Sequence, residues 1–144
     1  MTRFEIATAV IEAELDKAYL PGESDCLFLG LRVADALDPS LGLVERYWRA
    51  YTTLAGGHRA MVKAGFKSIE AFLESHLKRC APAQAQFGDL VILGLPAGSR
   101  RADHVAVCIG TRFATKLETG GSLHMIDEVT AAFRTGAPHE PAQW

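Results

Sequence analysis

Two side chains in this sequence have the chemistry of a nucleophile and its base. Cys26 follows Ser24 and Asp25 and heads the apolar run CLFLGLRVADAL. A thiol in the first turn of a helix faces unpaired N–H groups and the positive end of the helix dipole, which predicts a lowered pKa and a nucleophilic thiolate. The same N–H groups can hold a developing oxyanion. His104 opens the stretch HVAVCIG after the polar stretch AGSRRAD. An imidazole at a strand start is the base such a thiol requires, and the two partners are normally distant in sequence. Each residue also has a plainer role. Free cysteine is common in cores, and a histidine at a strand start is commonly a surface residue.

The elements that must position this pair divide the chain into a helical half and a strand-rich half. Over residues 3–19, Phe4, Ala7, Ile11, Leu15 and Ala18 recur at helical spacing. The turn PGES at Pro21–Ser24 breaks that pattern. The run Cys26–Leu37 is apolar nearly all round, relieved by Arg32 and Asp35, and reads as a buried central helix. Ser24 or Asp25 can cap it; Asp25 is read as that cap rather than as a catalytic acid. DPS at Asp38–Ser40 ends it, and VERYWRAYTTLA then runs to a break at Gly56-Gly57. Trp48, Tyr47 and Tyr51 sit there at helical spacing and read as packing residues. HRAMVKAG forms a short helix, and SIEAFLESHLKR opens at Ser68 and closes on Lys78 and Arg79.

From Phe87 onward GDLVIL, HVAVCIG, RFATKLE and SLHMIDE read as short strands of an antiparallel meander. VTAAFR reads as a last helical turn before the tail GAPHEPAQW, with residues 136–144 loose. Helices first and strands second predict an α+β fold in a single domain spanning 1–144.

Composition narrows the function classes. The chain has 144 residues, 49% hydrophobic and 22% charged, which suits one ordinary globular domain. Fifteen basic against seventeen acidic residues leave a formal charge of −2. That balance offers no footprint for a nucleic-acid backbone or an anionic membrane, and the apolar runs are too short to insert in a bilayer. Glu5, Glu12, Glu14 and Asp16 interrupt any secretory-signal pattern and predict synthesis in the cytoplasm.

Cys26, Cys80 and Cys108 are widely spaced with no CxxC, and the five histidines show no HxxxH or HExxH. Neither a disulfide framework nor a metal site is expected, and no cofactor motif is present. Cys80 and Cys108 read as passive.

The segments SDCLFLGLRVADAL, QFGDLVIL and DHVAVCIGTRF occur in the order and rough spacing of the NlpC-type papain-like cysteine peptidases. The chain resembles that family over residues 20–120. Its length, the phrase AQFGDLVIL and the aromatic-rich RYWRAYTTLAGGHRAMVKAG look most like the small phage and prophage tail-associated branch. The resemblance implies a papain-like fold whose central helix starts at the cysteine and packs on a C-terminal antiparallel sheet. It implies Cys26 as nucleophile, His104 as base and later acid, and the Cys26 N–H in the oxyanion hole. It implies an amide bond of the peptidoglycan stem peptide as substrate, phage tail proteins as partners and the virion tail or tail tip as location.

The sequence departs from that family at the third catalytic position. A ring or amide is expected on the strand after His104, and the place falls on Thr115 or Lys116; His124 on the following strand is a further candidate. Arg100 and Arg101 can bind a substrate carboxylate or form a solvated turn. Asp89 reads as the residue starting its strand. Two functions follow: a cell-wall cysteine peptidase, or a catalytically silent tail-tip or tail-assembly protein on the same scaffold.

Overall fold

The computed structural model describes residues 1–136, and most of the expected tail lies outside that range. Five helices precede or flank a sheet: α1 (Arg3–Leu15), α2 (Cys26–Leu37), α3 (Leu43–Tyr47), α4 (Leu54–Lys63) and α5 (Ile69–His76). The strands are β1 (Arg79–Cys80), β2 (Leu90–Ala97), β3 (Arg100–Cys108), β4 (Phe113–Leu117), β5 (Gly120–His124) and β6 (Val129–Phe133). They form one six-stranded sheet, and every pairing is antiparallel. The α+β class is therefore observed.

Local signals explain most helix starts. Thr2 and Glu5 form a reciprocal capping box on α1, and the Ser68 hydroxyl accepts from the Ala71 N–H at the head of α5. Thr53 caps α4 in the same way by accepting from the Gly56 N–H. The expected break at Gly56-Gly57 is thus wrong: both glycines lie inside α4, because the cap three residues earlier outweighs their weak propensity. The expected helical run through Trp48 and Tyr51 also fails. Helix α3 stops at Tyr47, and Arg49 takes a left-handed φ of 57°, which no continuous helix tolerates.

The sheet is not a simple meander. Its order is β1-β6-β2-β3-β4-β5, so the last strand returns to pair with both β1 and β2. VTAAFR is mostly this strand rather than a helical turn; its registry with β2 overrides the helix-compatible alanines. His104 lies within β3 rather than at its start, because the hairpin continues through AGSRRAD as far as Pro96↔Arg101 and Ala97↔Arg100.

The main core lies between α2 and the sheet. Phe28, Leu29, Leu31 and Val33 are fully buried against Leu90, Ile92, Val105, Val107 and Phe133; each such side chain contributes roughly 1.5–3 kcal/mol of burial. Val91, Leu93, Ala106, Cys108 and Phe113 form a second cluster on the opposite face, which explains why LVIL reads as an unbroken apolar run. Gly30 lets helix and sheet approach: a Cβ there would lie 2.7 Å from Val105 Cγ1. One helical turn earlier on the same side is Cys26.

Candidate functional site

Asp25 is the N-cap of α2, its Oδ1 accepting from the Phe28 N–H at 2.9 Å, and Cys26 is the first helical residue. Close packing at Gly30 holds this end of α2 against β3. There the N–H of Val105, with those of Leu27 and of Cys26 itself, faces the sulphur and favours the thiolate. His104 is the residue immediately before Val105. The main chain of β3 beside His104, 78 positions on in sequence, thus lies against the sulphur, while the His104 side chain, paired with Leu93 and alternating with Val105, takes the sheet face opposite to α2. Among the described residues, no side-chain hydrogen bond joins the sulphur to the imidazole.

The electrostatics oppose the expected low thiol pKa. Burial of the sulphur, reinforced by the adjacent Asp25 carboxylate, pushes the Cys26 thiol up to about 12. The three N–H groups act the other way and are outweighed. His104 is held below its ordinary value, chiefly by burial; His124 adds to the depression and Asp103 opposes it. Both members of the pair are thus neutral at pH 7.

Asp25 is the centre of a cluster that sequence reading did not assemble. Its Oδ2 accepts from the Gly22 N–H at 2.9 Å and from the Tyr51 hydroxyl at 2.5 Å. The segment carrying Tyr51 is clasped onto the turn before α2. Arg49 N–H donates to Gly22 O, and a Cβ on Gly22 would lie 1.9 Å from the Tyr51 carbonyl oxygen. Burial and the neighbouring Asp25 and Cys26 raise both the Tyr19 and the Tyr51 phenols. Beside Leu27 and Tyr51 an apolar cavity of about 80 Å³ opens under α4, floored by Phe66 and Phe72.

Lys116, the other residue weighed for the third catalytic position, has a role that only the fold reveals. It is 2% exposed, and its Nζ donates 2.6 Å bonds to Glu14 O and Ser24 Oγ. It therefore ties β4 to the end of α1 and to the residue before Asp25. Burial holds its pKa below the ordinary value. A lone lysine in a strand carries no sequence mark of such a role.

Thr115 does not orient the imidazole. Its buried hydroxyl donates to Val105 O at 2.6 Å and so braces the strand beside His104. His124 is held elsewhere, between Ser122 and Glu128 on and after β5. Arg101 donates to Gly94 O, and Arg100 is exposed at the hairpin end. Arg100 lies four steps along the strand from His104, about 13 Å. Asp89 is a structural latch, paired with Arg3 at 2.7 Å. The thiols of Cys26, Cys80 and Cys108 are all free. Among the described residues no cluster of three or more His, Cys, Asp or Glu is placed to hold a metal, and no helix is long and apolar enough to cross a membrane.

Fold and site together define an α+β protein with a half-buried cysteine at a helix N-terminus, set against the strand that carries a histidine. The chain belongs to the family described as Domain of unknown function (DUF6950), whose model matches residues 2–135. No curated protein and no solved structure matches it.

Proposed function

We propose that the protein is a phage or prophage tail-associated cysteine peptidase of the papain-like NlpC type, hydrolysing an amide bond in peptidoglycan stem peptides. The observation that carries this reading is the seating of Cys26: first residue of the buried helix, sulphur against the Val105 N–H, one residue from His104. With both groups neutral at pH 7, the thiol proton passes to His104 in the attacking step rather than beforehand, which is general-base chemistry and requires the ring to reach round the β3 edge to the sulphur. The sulphur bonds to the scissile carbonyl carbon while the Cys26 N–H holds the oxyanion. His104 then protonates the leaving amine, and water hydrolyses the thioester. Thr115 holds the strand under the base. Arg100 and Arg101 would meet a carboxylate only on a substrate extending well along the hairpin.

The test is digestion of purified peptidoglycan followed by mass spectrometry of the released peptides. Cys26→Ala and His104→Ala should each abolish cleavage, and undiminished release in either variant ends the assigned role. Alkylation of Cys26 against pH, in wild type and His104→Ala, reads the thiol without needing a substrate.

A second reading has its own observation. The high thiol pKa, with no sulphur–imidazole hydrogen bond among the described residues, favours a silent tail-tip or tail-assembly protein on the same scaffold. It predicts association with tail proteins that survives Cys26→Ser. Recovery from phage-producing cells only as a free monomer counts against it.

A further inference from the structure

The outer strand of the sheet carries a hydroxyl–imidazole–carboxylate line that the Cys26 site does not use. Ser122 Oγ lies 2.7 Å from His124 Nε2, and His124 Nδ1 lies 3.1 Å from Glu128 Oε1. Ser122 and His124 are two residues apart on β5, so their side chains share a face. The turn Ile126–Glu128 folds Glu128 back beneath the ring. A carboxylate accepting from Nδ1–H fixes the tautomer whose Nε2 lone pair faces the serine, so the Ser122 hydroxyl donates to the ring. The His124 side chain is 13% exposed and that of Glu128 32%, which shields the pair, while Ser122 remains partly open. Strand β5 pairs only with β4 among the described residues. Every second N–H along that edge has no strand partner among the described residues and can donate to an oxyanion beside Ser122.

We infer that Ser122 and His124 form a second nucleophilic site acting on carboxylic esters, with Glu128 as the positioning residue. The Ser122 oxygen bonds to the ester carbonyl carbon as its proton moves to His124 Nε2. The carbonyl–alkoxy bond breaks, and the departing alkoxide takes that proton. Water repeats the sequence on acyl-Ser122, releasing the carboxylic acid and restoring the hydroxyl. Lying open along the strand edge, the site suits small or extended esters. The inference is independent of the Cys26 reading.

The test treats the full chain with a fluorophosphonate probe and maps the labelled peptide by mass spectrometry. Ser122 displaces fluoride to form the Ser122–phosphorus bond. Labelling is expected at Ser122, with a fall of about a hundredfold in His124→Ala. Glu128→Gln, which keeps the shape, should shift the pH profile of labelling. Hydrolysis of p-nitrophenyl acetate should persist in Cys26→Ala, where no thiol at that site contributes, and disappear when Ser122→Ala is added to that background. Absence of label at Ser122, equal labelling in His124→Ala, or ester hydrolysis that follows Cys26 instead of Ser122 each overturns the site.

Discussion

Two buried aspartates, Asp25 and Asp89, begin their elements in the same way and end in opposite electrostatic surroundings. Asp89 is fully buried and accepts from the Gln86 and Thr135 N–H groups at 2.8 and 2.9 Å. It also meets the Arg3 guanidinium at 2.7 Å, with Arg134 at 3.8 Å. Its charge is compensated, and the surrounding latch joins α1, β2 and the end of β6. Asp25 is equally enclosed at 3% exposure, but its partners are neutral: two backbone N–H groups and the Tyr51 phenol. Its field falls on the neighbours instead, adding to burial in raising Cys26, Tyr19 and Tyr51. A buried carboxylate with a cation is a finished structural element. One whose hydrogen-bond partners are all neutral biases the protonation of the groups around it, Lys116 included.

The largest way to break this contrast is at Asp89. Asp89→Ala leaves the Arg3 guanidinium without its carboxylate and should cost about 3–5 kcal/mol in urea unfolding, as loss of one partner of a buried ion pair does. Gly22→Ala attacks the other aspartate through the backbone. Its φ of +82° and the 1.9 Å approach of the Tyr51 carbonyl oxygen forbid a Cβ without moving the clasp. A loss of about 2–3 kcal/mol is expected, with a change in Cys26 alkylation that Asp89→Ala does not produce at matched folded fraction.

Asp25→Asn sharpens the comparison by removing charge while keeping a cap. Stability should fall by about 1 kcal/mol. The midpoint of the Cys26 alkylation profile should move down from about 12. For every pH unit that it falls, the thiolate fraction at pH 8 rises roughly tenfold, and the reaction accelerates with it. An unmoved profile would show that burial alone sets the thiol.

The smallest effect is pH dependence from histidine. Burial, with Arg46 beside it, holds His76 below its ordinary value, and His104 is lowered as well. The unfolded chain therefore takes up protons before the folded one. Stability is complete above the unfolded value near ~6.5 and declines as pH falls towards the folded values. Tm should drop modestly from pH 8 to pH 5, and His76→Gln should flatten that slope.

The portion of the site legible in sequence is the portion made by local rules. The cap at Asp25, the start of α2 at Cys26 and the strands containing GDLVIL and HVAVCIG depend on neighbours within a few residues. So does the place of Asp89 at the start of its strand. The thiol goes the other way from its local signal, because the dipole at the helix end is local while the burial of the sulphur and of the Asp25 carboxylate beside it is a product of packing. Trp48 and Tyr51 differ for the same reason. Helical spacing continues through them in the sequence, but Arg49 breaks the helix so that Tyr51 can reach Asp25.

An α+β chain with a buried helix headed by a capped cysteine follows from the sequence alone, because periodicity, caps and turn residues act over one or two turns of chain. Packing alone settles that Val105 meets the sulphur, that Lys116 ties β4 to Ser24, that β6 returns between β1 and β2, and that Asp89 is ion-paired while Asp25 has Lys116 only within its field. Those contacts join residues up to about a hundred positions apart. Their energies come from desolvation and charge pairing, which exist only once the core has closed.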